Sequence, residues 1–205
     1  QWSSSHTVSV RDGKRLTIRC GAAARVTVTP RSSVTCSAAA DPTRFYVGIE
    51  LRFKRVFLGA RKGELRDLAN VLIIQGNAQL LGSLCAPNSV DTLSVQFPDP
   101  WAKARWRKNR LIKLNFLHTI FSVLTMHGCF RFKSDHEEYF LEVVQLLKQL
   151  PGVTVEALTH HLYGDEKLCA DNVASEFESL FRAQGTPIHL VIARKTAQGQ
   201  EAHKT

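Results

Sequence analysis

No apolar run in the sequence approaches the roughly 18 residues a membrane-crossing helix needs, so no transmembrane helix is expected. Cysteine is sparse. Five residues, odd in number and widely spaced, do not read as a disulfide framework, and a reducing compartment is the simpler setting. Acid is nearly missing from the first 40 residues, where Asp12 stands alone. The run from Ala22 to Ala40 lacks Leu, Glu and Lys, shows no helical stripe and is interrupted by Pro30. Glycine is missing between Gly21 and Gly48. There is no P-loop, no Gly-x-Gly-x-x-Gly fingerprint and no Ser/His/Asp or Cys/His nucleophile set. The pairs His160–His161 and His127/Cys129 lack further partners at metal-ligand spacing, so no metal site is expected.

What is present suits one folded domain with a real core: 205 residues, 44% of them hydrophobic. The net charge is +9 and the pI about 9.6. Such a balance favours a polyanionic partner, nucleic acid before an anionic membrane, although a basic surface without a partner has the same overall charge. Residues 1–40 are rich in Ser, Thr, Ala and Arg, the composition of an organellar transit segment. An organellar destination therefore stands beside a cytoplasmic one. The expected organisation is an atypical segment 1–40, a domain 41–196 and a polar tail 197–205.

From Asp41 onward strand and helix signals alternate. Strands are predicted at "RFYVGIEL", "NVLIIQGNA", "VDTLSVQF", "GCFRF" and "TPIHLVIARK". Between them helical spacing appears in "RFKRVFLGARKGELRDLA", with Val56, Leu58, Leu65 and Leu68 available to face inward, and in "AQLLGSLCA". A long helix is predicted from about Arg107 to Leu124, with Leu114, Leu117, Phe121 and Leu124 on one face, and another from His136 to Leu150. The alternation predicts an α/β domain with a mainly parallel sheet.

Ligands of such sheets bind outside the carboxyl ends of the strands. Glu50, Asn77 with Ala78, Asp99, and Ser134 with Asp135 fall there. A carboxylate at Glu50 can accept both ribose hydroxyls, or it is a surface residue opening the next helix. Asn77 can bond an adenine edge, or it is a turn residue. Asp99 is held stiffly, because Pro98 and Pro100 fix their own φ and restrict the residue before them. Trp101 adds a flat surface for the core or for a base. Next comes a basic track of Lys103, Arg105, Arg107, Lys108, Arg110 and Lys113, without an acid among them. Arg107, Arg110 and Lys113 are spaced by three, so on a helix they would follow one side and track a phosphate backbone. Trp106 offers a stacking surface. A solvated helix face is the plain alternative.

Together these segments resemble the bacterial-type tRNA (guanine-N7)-methyltransferases, which modify the guanine at position 46 of the variable loop. The resemblance runs from about Asp41 to Lys195. It rests on "FYVGIELRFKRV", on "NA" at Asn77, on "FPDPWAKARWRKNRLI", on "FKSDHEEY" with Ser134 in place of Thr, and on "ASEFESLFRAQGTPIHLVIARK" with Ser175 in place of Thr and Glu178 kept. It implies the class I methyltransferase (Rossmann-like) fold, with helices on both faces of a mostly parallel sheet and an antiparallel last strand. It implies S-adenosylmethionine as cofactor and tRNA as partner, on a monomer or homodimer. Glu50 and Leu51 would hold the ribose side and Asn77 and Ala78 the adenine. Asp99 would sit at the methyl-transfer point as the catalytic carboxylate. Lys103, Asp135, Ser175 and Glu178 would line the guanine pocket, and Arg105, Arg107, Lys108, Arg110 and Lys113 would meet the tRNA backbone.

The family's Glu-Ile-Gly-x-Gly-x-Gly cofactor loop has its best counterpart here in "TIRCGAA", Thr17–Ala23, where only Gly21 remains and Thr17 stands in the place of Glu. Three readings stay open: a degenerate loop, a targeting-like extension, or an altered reading frame. Guanine N7 carries no proton, so no general base is needed. Alignment with the sulfonium methyl supplies most of the rate, and a carboxylate can stabilise the cationic base that forms.

Overall fold

The structure is a computed structural model and describes residues 6–11, 15–20, 24–28 and 33–197. Strands β1 (His6–Arg11) and β2 (Arg15–Cys20) pair antiparallel as a separate two-stranded sheet. The main sheet has seven strands in the order β5-β4-β3-β6-β7-β9-β8. These are β3 (Ala24–Val28), β4 (Phe45–Glu50), β5 (Val71–Gln75), β6 (Val90–Gln96), β7 (Leu124–Ser134), β8 (Val153–Thr159) and β9 (His189–Lys195). β3 to β7 run parallel, and β9 lies antiparallel to both of its neighbours. The chain moves outward from β3 to β5, then returns to β6 on the other side of β3. That reversal opens a crevice at the carboxyl ends of β3 and β6.

One face of the sheet carries the main core. Val26, Val28, Val47, Ile49, Leu93, Val95, Phe130 and Phe132 alternate along their strands and pack against α4 (Leu114–Val123) and α5 (Glu137–Lys148). The opposite face is covered at one end by α1 (Ser33–Ala40) and α2 (Phe53–Leu65). At its other end Phe181, from α7 (Glu176–Ala183), packs on Leu162, Ile188, Leu190 and Ile192. The short helices α3 (Leu81–Leu84) and α6 (Glu166–Ala170) complete the layers.

Several expectations are corrected. The expected start of the domain at Asp41 cuts into the sheet, because β3 is its central strand and α1 packs on β4. The Ser33–Ala40 part of the Ala22–Ala40 run forms a helix despite its composition, since Val34 and Ala38 are buried against Tyr46 and a tertiary face outweighs weak propensity. Gly48 permits that contact, because a Cβ there would lie 3.1 Å from Val34 Cγ1. On α2 the buried positions are Gly59 and Gly63, while Leu65 is 75% exposed rather than inward. β8 has no counterpart among the predicted strands. The fourth predicted strand extends back to Leu124.

The long helix predicted from Arg107 is split. A 3-10 helix covers Ala104–Asn109, the chain then runs extended, and α4 begins at Leu114. Arg110 causes the break. Its guanidinium is buried, donates from Nε to the Pro100 carbonyl at 2.8 Å, pairs with Glu142, and reaches Glu138 at 3.2 Å. The backbone N–H of Ile112 donates to the Tyr139 hydroxyl at 2.8 Å. These inward bonds compete with continuation of the helix.

Candidate functional site

A cleft of about 400 Å³ opens at the strand carboxyl ends, lined among others by Val28, Glu50, Leu51, Asn77, Ala78 and Asp99. The parallel register puts these residues together, with Val28 beside Ile49 and Val95, and Glu50 beside Gln75.

Glu50 ends β4 and is buried. Its carboxylate accepts from the Arg52 backbone N–H at 2.9 Å and faces Arg55 Nη1 at 3.5 Å. Each carboxylate oxygen keeps a further lone pair for a hydroxyl donor. Asn77 caps a 3-10 turn over Ala78–Leu80, with its Oδ1 accepting from the Gln79 N–H at 3.0 Å. Its amide NH₂ stays available, and Ala78 adds little bulk beside it.

The Pro-Asp-Pro-Trp corner follows β6. Phe97 and Trp101, on either side of it, both adopt left-handed φ, at 48° and 44°. Such non-glycine conformations cost about 1–3 kcal/mol each and persist only where the surroundings impose them. Phe97 is fixed by its N–H to the Lys133 carbonyl at 2.9 Å and by its ring against Phe181 at 5.3 Å. Asp99, between the two prolines, is exposed and makes no ion pair or hydrogen bond among the described residues. The corner thus presents a free carboxylate on rigid backbone. Trp101 packs edge-on to Trp106 at 6.1 Å, and Lys103 and Arg105 lie 5.0 and 4.9 Å from the Trp106 ring.

Five of the expected cofactor residues, Glu50, Leu51, Asn77, Ala78 and Asp99, share this cleft. Gly21 lies outside the described residues. It also precedes β3, so the cofactor-loop assignment to Thr17–Ala23 is corrected. The segment leaving the carboxyl end of the central strand is Thr29-Pro30-Arg31-Ser32, which has no glycine and is itself outside the described residues.

Of the guanine-pocket set, Lys103 is exposed on the corner and Asp135 is half-buried after β7. Ser175 and Glu178 are buried and bonded to each other. Ser175 Oγ accepts from the Glu178 N–H at 3.2 Å, and Glu178 Oε2 accepts from the Ser175 N–H at 3.0 Å. Glu178 also pairs with Lys133, and Asn172 and Tyr163 donate to its Oε1 at 2.9 and 3.3 Å. Burial pushes Lys133 below its usual range while Glu178 pulls it back. Burial and the Glu178 charge push Tyr163 up to about 12. On the basic track Arg105 and Lys108 are exposed, Arg107 pairs with Glu138 at 2.8 Å, and Lys113 donates to the Lys108 carbonyl. Arg110 is removed from that surface by its burial. Sequence reasoning missed Arg52 and Arg55 in the cleft wall and the Lys133 cluster. A lysine inside the apolar run "CFRFK" is the signal that marks the latter.

A switch-point cleft at the ends of a mainly parallel sheet, with one reversed strand next to the edge, is the architecture of the class I methyltransferase fold. The fold matches the ribosomal A1408 methyltransferase from an uncultured bacterium with a TM-score of 0.58 at 14% identity, over 85% of this chain and 88% of that one. The chain belongs to the family described as "Putative methyltransferase", whose model matches residues 31–191. It is 34% identical over 141 residues to a bifunctional glycosyltransferase/methyltransferase of Fusobacterium nucleatum, covering 69% of this chain and 22% of that protein. It is 31% identical over 159 residues to the tRNA (guanine-N(7)-)-methyltransferase of Leuconostoc mesenteroides, covering 76% of this chain and 73% of that one. The chain is thus a member of a methyltransferase family, for which the sequence resemblance implies S-adenosylmethionine as the methyl donor. The nucleoside half of that donor fits the cleft, where Glu50 would meet the ribose hydroxyls and Asn77 the adenine. Among the described residues no helix is long and apolar enough to cross a membrane.

Proposed function

We propose that the protein methylates N7 of a guanine in tRNA, the position-46 guanine of the variable loop. The observation that supports this most is the free, rigidly held Asp99 carboxylate, which lines the same cleft as Glu50 and Asn77 and stands beside an exposed basic run. S-adenosylmethionine, when bound, supplies an electrophilic methyl group. The protein's own part is placement. Asp99 stabilises the positive charge that develops on the guanine ring, at low reorganisation cost because its backbone is fixed. Lys103 and Asp135 hold the base, and Ser175 and Glu178 frame the wall behind it through their capping box. Arg105 and Lys108 meet the RNA backbone, which helps offset the few kcal/mol needed to take the base out of its stack.

A second reading is favoured by one sequence fact. The segment from Thr29 to Ser32 has no glycine where backbone must approach the methionine end of the donor. On that reading the chain binds tRNA and transfers nothing. Transfer of labelled methyl from S-adenosylmethionine to an unmodified tRNA transcript, beside a transcript lacking the position-46 guanine, separates the two. Label that requires that guanine supports the enzyme. Folded protein that binds tRNA without labelling it supports the silent binder, and label independent of that guanine defeats the position assignment.

A further inference from the structure

We infer that the sheet face opposite the main core carries a binding site for a free phosphate-type oxyanion, built around Arg25 and Arg131. Parallel strands covered on both faces normally read apolar on both sides. β3, β6 and β7 break this rule. Their core positions are Val26, Val28, Leu93, Val95, Phe130 and Phe132, but the alternating positions are Arg25 and Thr27, Thr92 and Ser94, and Cys129 and Arg131. The register sets Arg25 beside Thr92 and Cys129 in one row, and Thr27 beside Ser94 and Arg131 in the next.

With strands about 4.8 Å apart and alternate residues about 6.6 Å apart, the two arginine Cα atoms lie on a diagonal of about 12 Å. That span lets two long side chains converge over the Thr92 and Ser94 hydroxyls. Together they line a pocket of about 120 Å³, well below the about 400 Å³ of the cofactor cleft and of a size for a small oxyanion. It has no lining residue in common with the cofactor cleft.

The charge balance points to an anion. Among the described residues neither Arg25 nor Arg131 forms an ion pair; the Arg25 guanidinium hydrogen-bonds the Tyr46 hydroxyl and feels the more distant Asp41 charge, but its Nε is buried with no acceptor. Lys133, in the same pocket, is already committed to Glu178. The acid at the wall, Asp171, is exposed rather than turned into a pair with either guanidinium. A guanidinium drawn out of water without a counter-charge is costly, and a bidentate oxyanion is the partner its geometry matches.

The test is thermal unfolding of the full chain in increasing inorganic phosphate, with chloride holding ionic strength constant. Phosphate is expected to raise the midpoint saturably, as a ligand of the native state does. The double variant Arg25→Gln/Arg131→Gln should bind phosphate about tenfold or more weaker, the effect of removing at least one strong charge-assisted hydrogen bond. Its melting point in phosphate-free buffer, where it loses the Arg25–Tyr46 hydrogen bond, is the baseline from which its own phosphate response is read. The variant Arg105→Glu/Lys108→Glu should keep the phosphate response, which separates this pocket from the RNA track. Absence of a saturable rise, or a rise that survives in the double arginine variant, would overturn the site. Stabilisation by tRNA that disappears in the double arginine variant would overturn the free-anion assignment in favour of an RNA phosphate.

Discussion

Lys133 Nζ lies 3.0 Å from Glu178 Oε2, and both side chains are buried. This pair joins the carboxyl end of β7 to the N-terminal cap of α7. The strand end that carries Ser134 and Asp135 is thereby tied to the helix start. Removing one partner leaves an uncompensated buried charge, so Lys133→Met alone is expected to cost about 3–5 kcal/mol. The double variant Lys133→Met/Glu178→Leu should cost clearly less than the sum of its singles. Urea denaturation of the parent, the two singles and the double variant measures this coupling. Additive costs would show that the pair is not a unit.

The basic track divides into residues that hold the corner and residues that face solvent. Arg110 is spent on Pro100, Glu138 and Glu142 and lies 4.8 Å from the Tyr139 ring centre. Arg110→Ala is expected to lower stability by about 2–3 kcal/mol, through removal of charge-assisted hydrogen bonds and packing, with RNA binding affected only through the displaced corner. Arg105→Glu/Lys108→Glu should leave the unfolding midpoint nearly unchanged. It should weaken tRNA binding and flatten its salt dependence by roughly 0.7–0.9 log unit for each RNA phosphate no longer neutralised. Fluorescence titrations with tRNA at several salt concentrations, beside melting curves, separate the two effects. If Arg110→Ala melts like the parent, its assignment to the corner fails.

The site is more legible in the sequence than the packing around it. Glu50, Asn77 and Asp99 stand out because each directly follows an apolar strand run, and strand ends are local features. The place of the central strand is hidden, because "ARVTV" sits in a stretch whose composition masks both the strand and the helix after it. Only long-range pairing with β4 and β6 identifies it. Arg110 reads as a surface residue because three-residue spacing assumes a continuous helix, and nothing local announces the carbonyl of Pro100 that draws the side chain inward. Ser175 and Glu178 show a capping-box spacing that is readable in advance, but their burial depends on Lys133 arriving from β7. β8 escaped the strand reading although "VTVEALT" carries strand-type alternation.

Asp99 has no partner to lose among the described residues, so its removal should leave the fold intact. Asp99→Ala is expected to leave the unfolding midpoint and tRNA affinity close to those of the parent while methyl transfer falls by about a hundredfold or more, the usual scale for one preorganised electrostatic interaction. Asp99→Asn tests charge against shape. If the carboxylate acts by its charge, the amide should fail nearly as badly. Single-turnover transfer with saturating donor and tRNA reads the effect. A full rate in either variant removes Asp99 from the mechanism.

His189 supplies a pH test that concerns the fold rather than the site. Its ring stacks on Phe140 at 5.1 Å and meets His160 edge-on at 5.6 Å, and its buried Nδ1 has no hydrogen-bond partner among the described residues. Burial, then the neighbouring His160, holds it below the usual histidine value of 6.5, while Glu137 and Asp135 pull the other way. Above 6.5 the imidazole is neutral in both the folded and unfolded chain and contributes no pH dependence. As pH falls below 6.5 the unfolded chain takes up the proton while folded His189 stays neutral, so stability declines until the folded ring also titrates. His189→Phe keeps a ring on Phe140 and removes the titration. Denaturation midpoints from about pH 7.5 to 5.5 should therefore fall more steeply in the parent than in the variant. Parallel pH profiles for the two proteins would show that His189 is not held neutral by the fold.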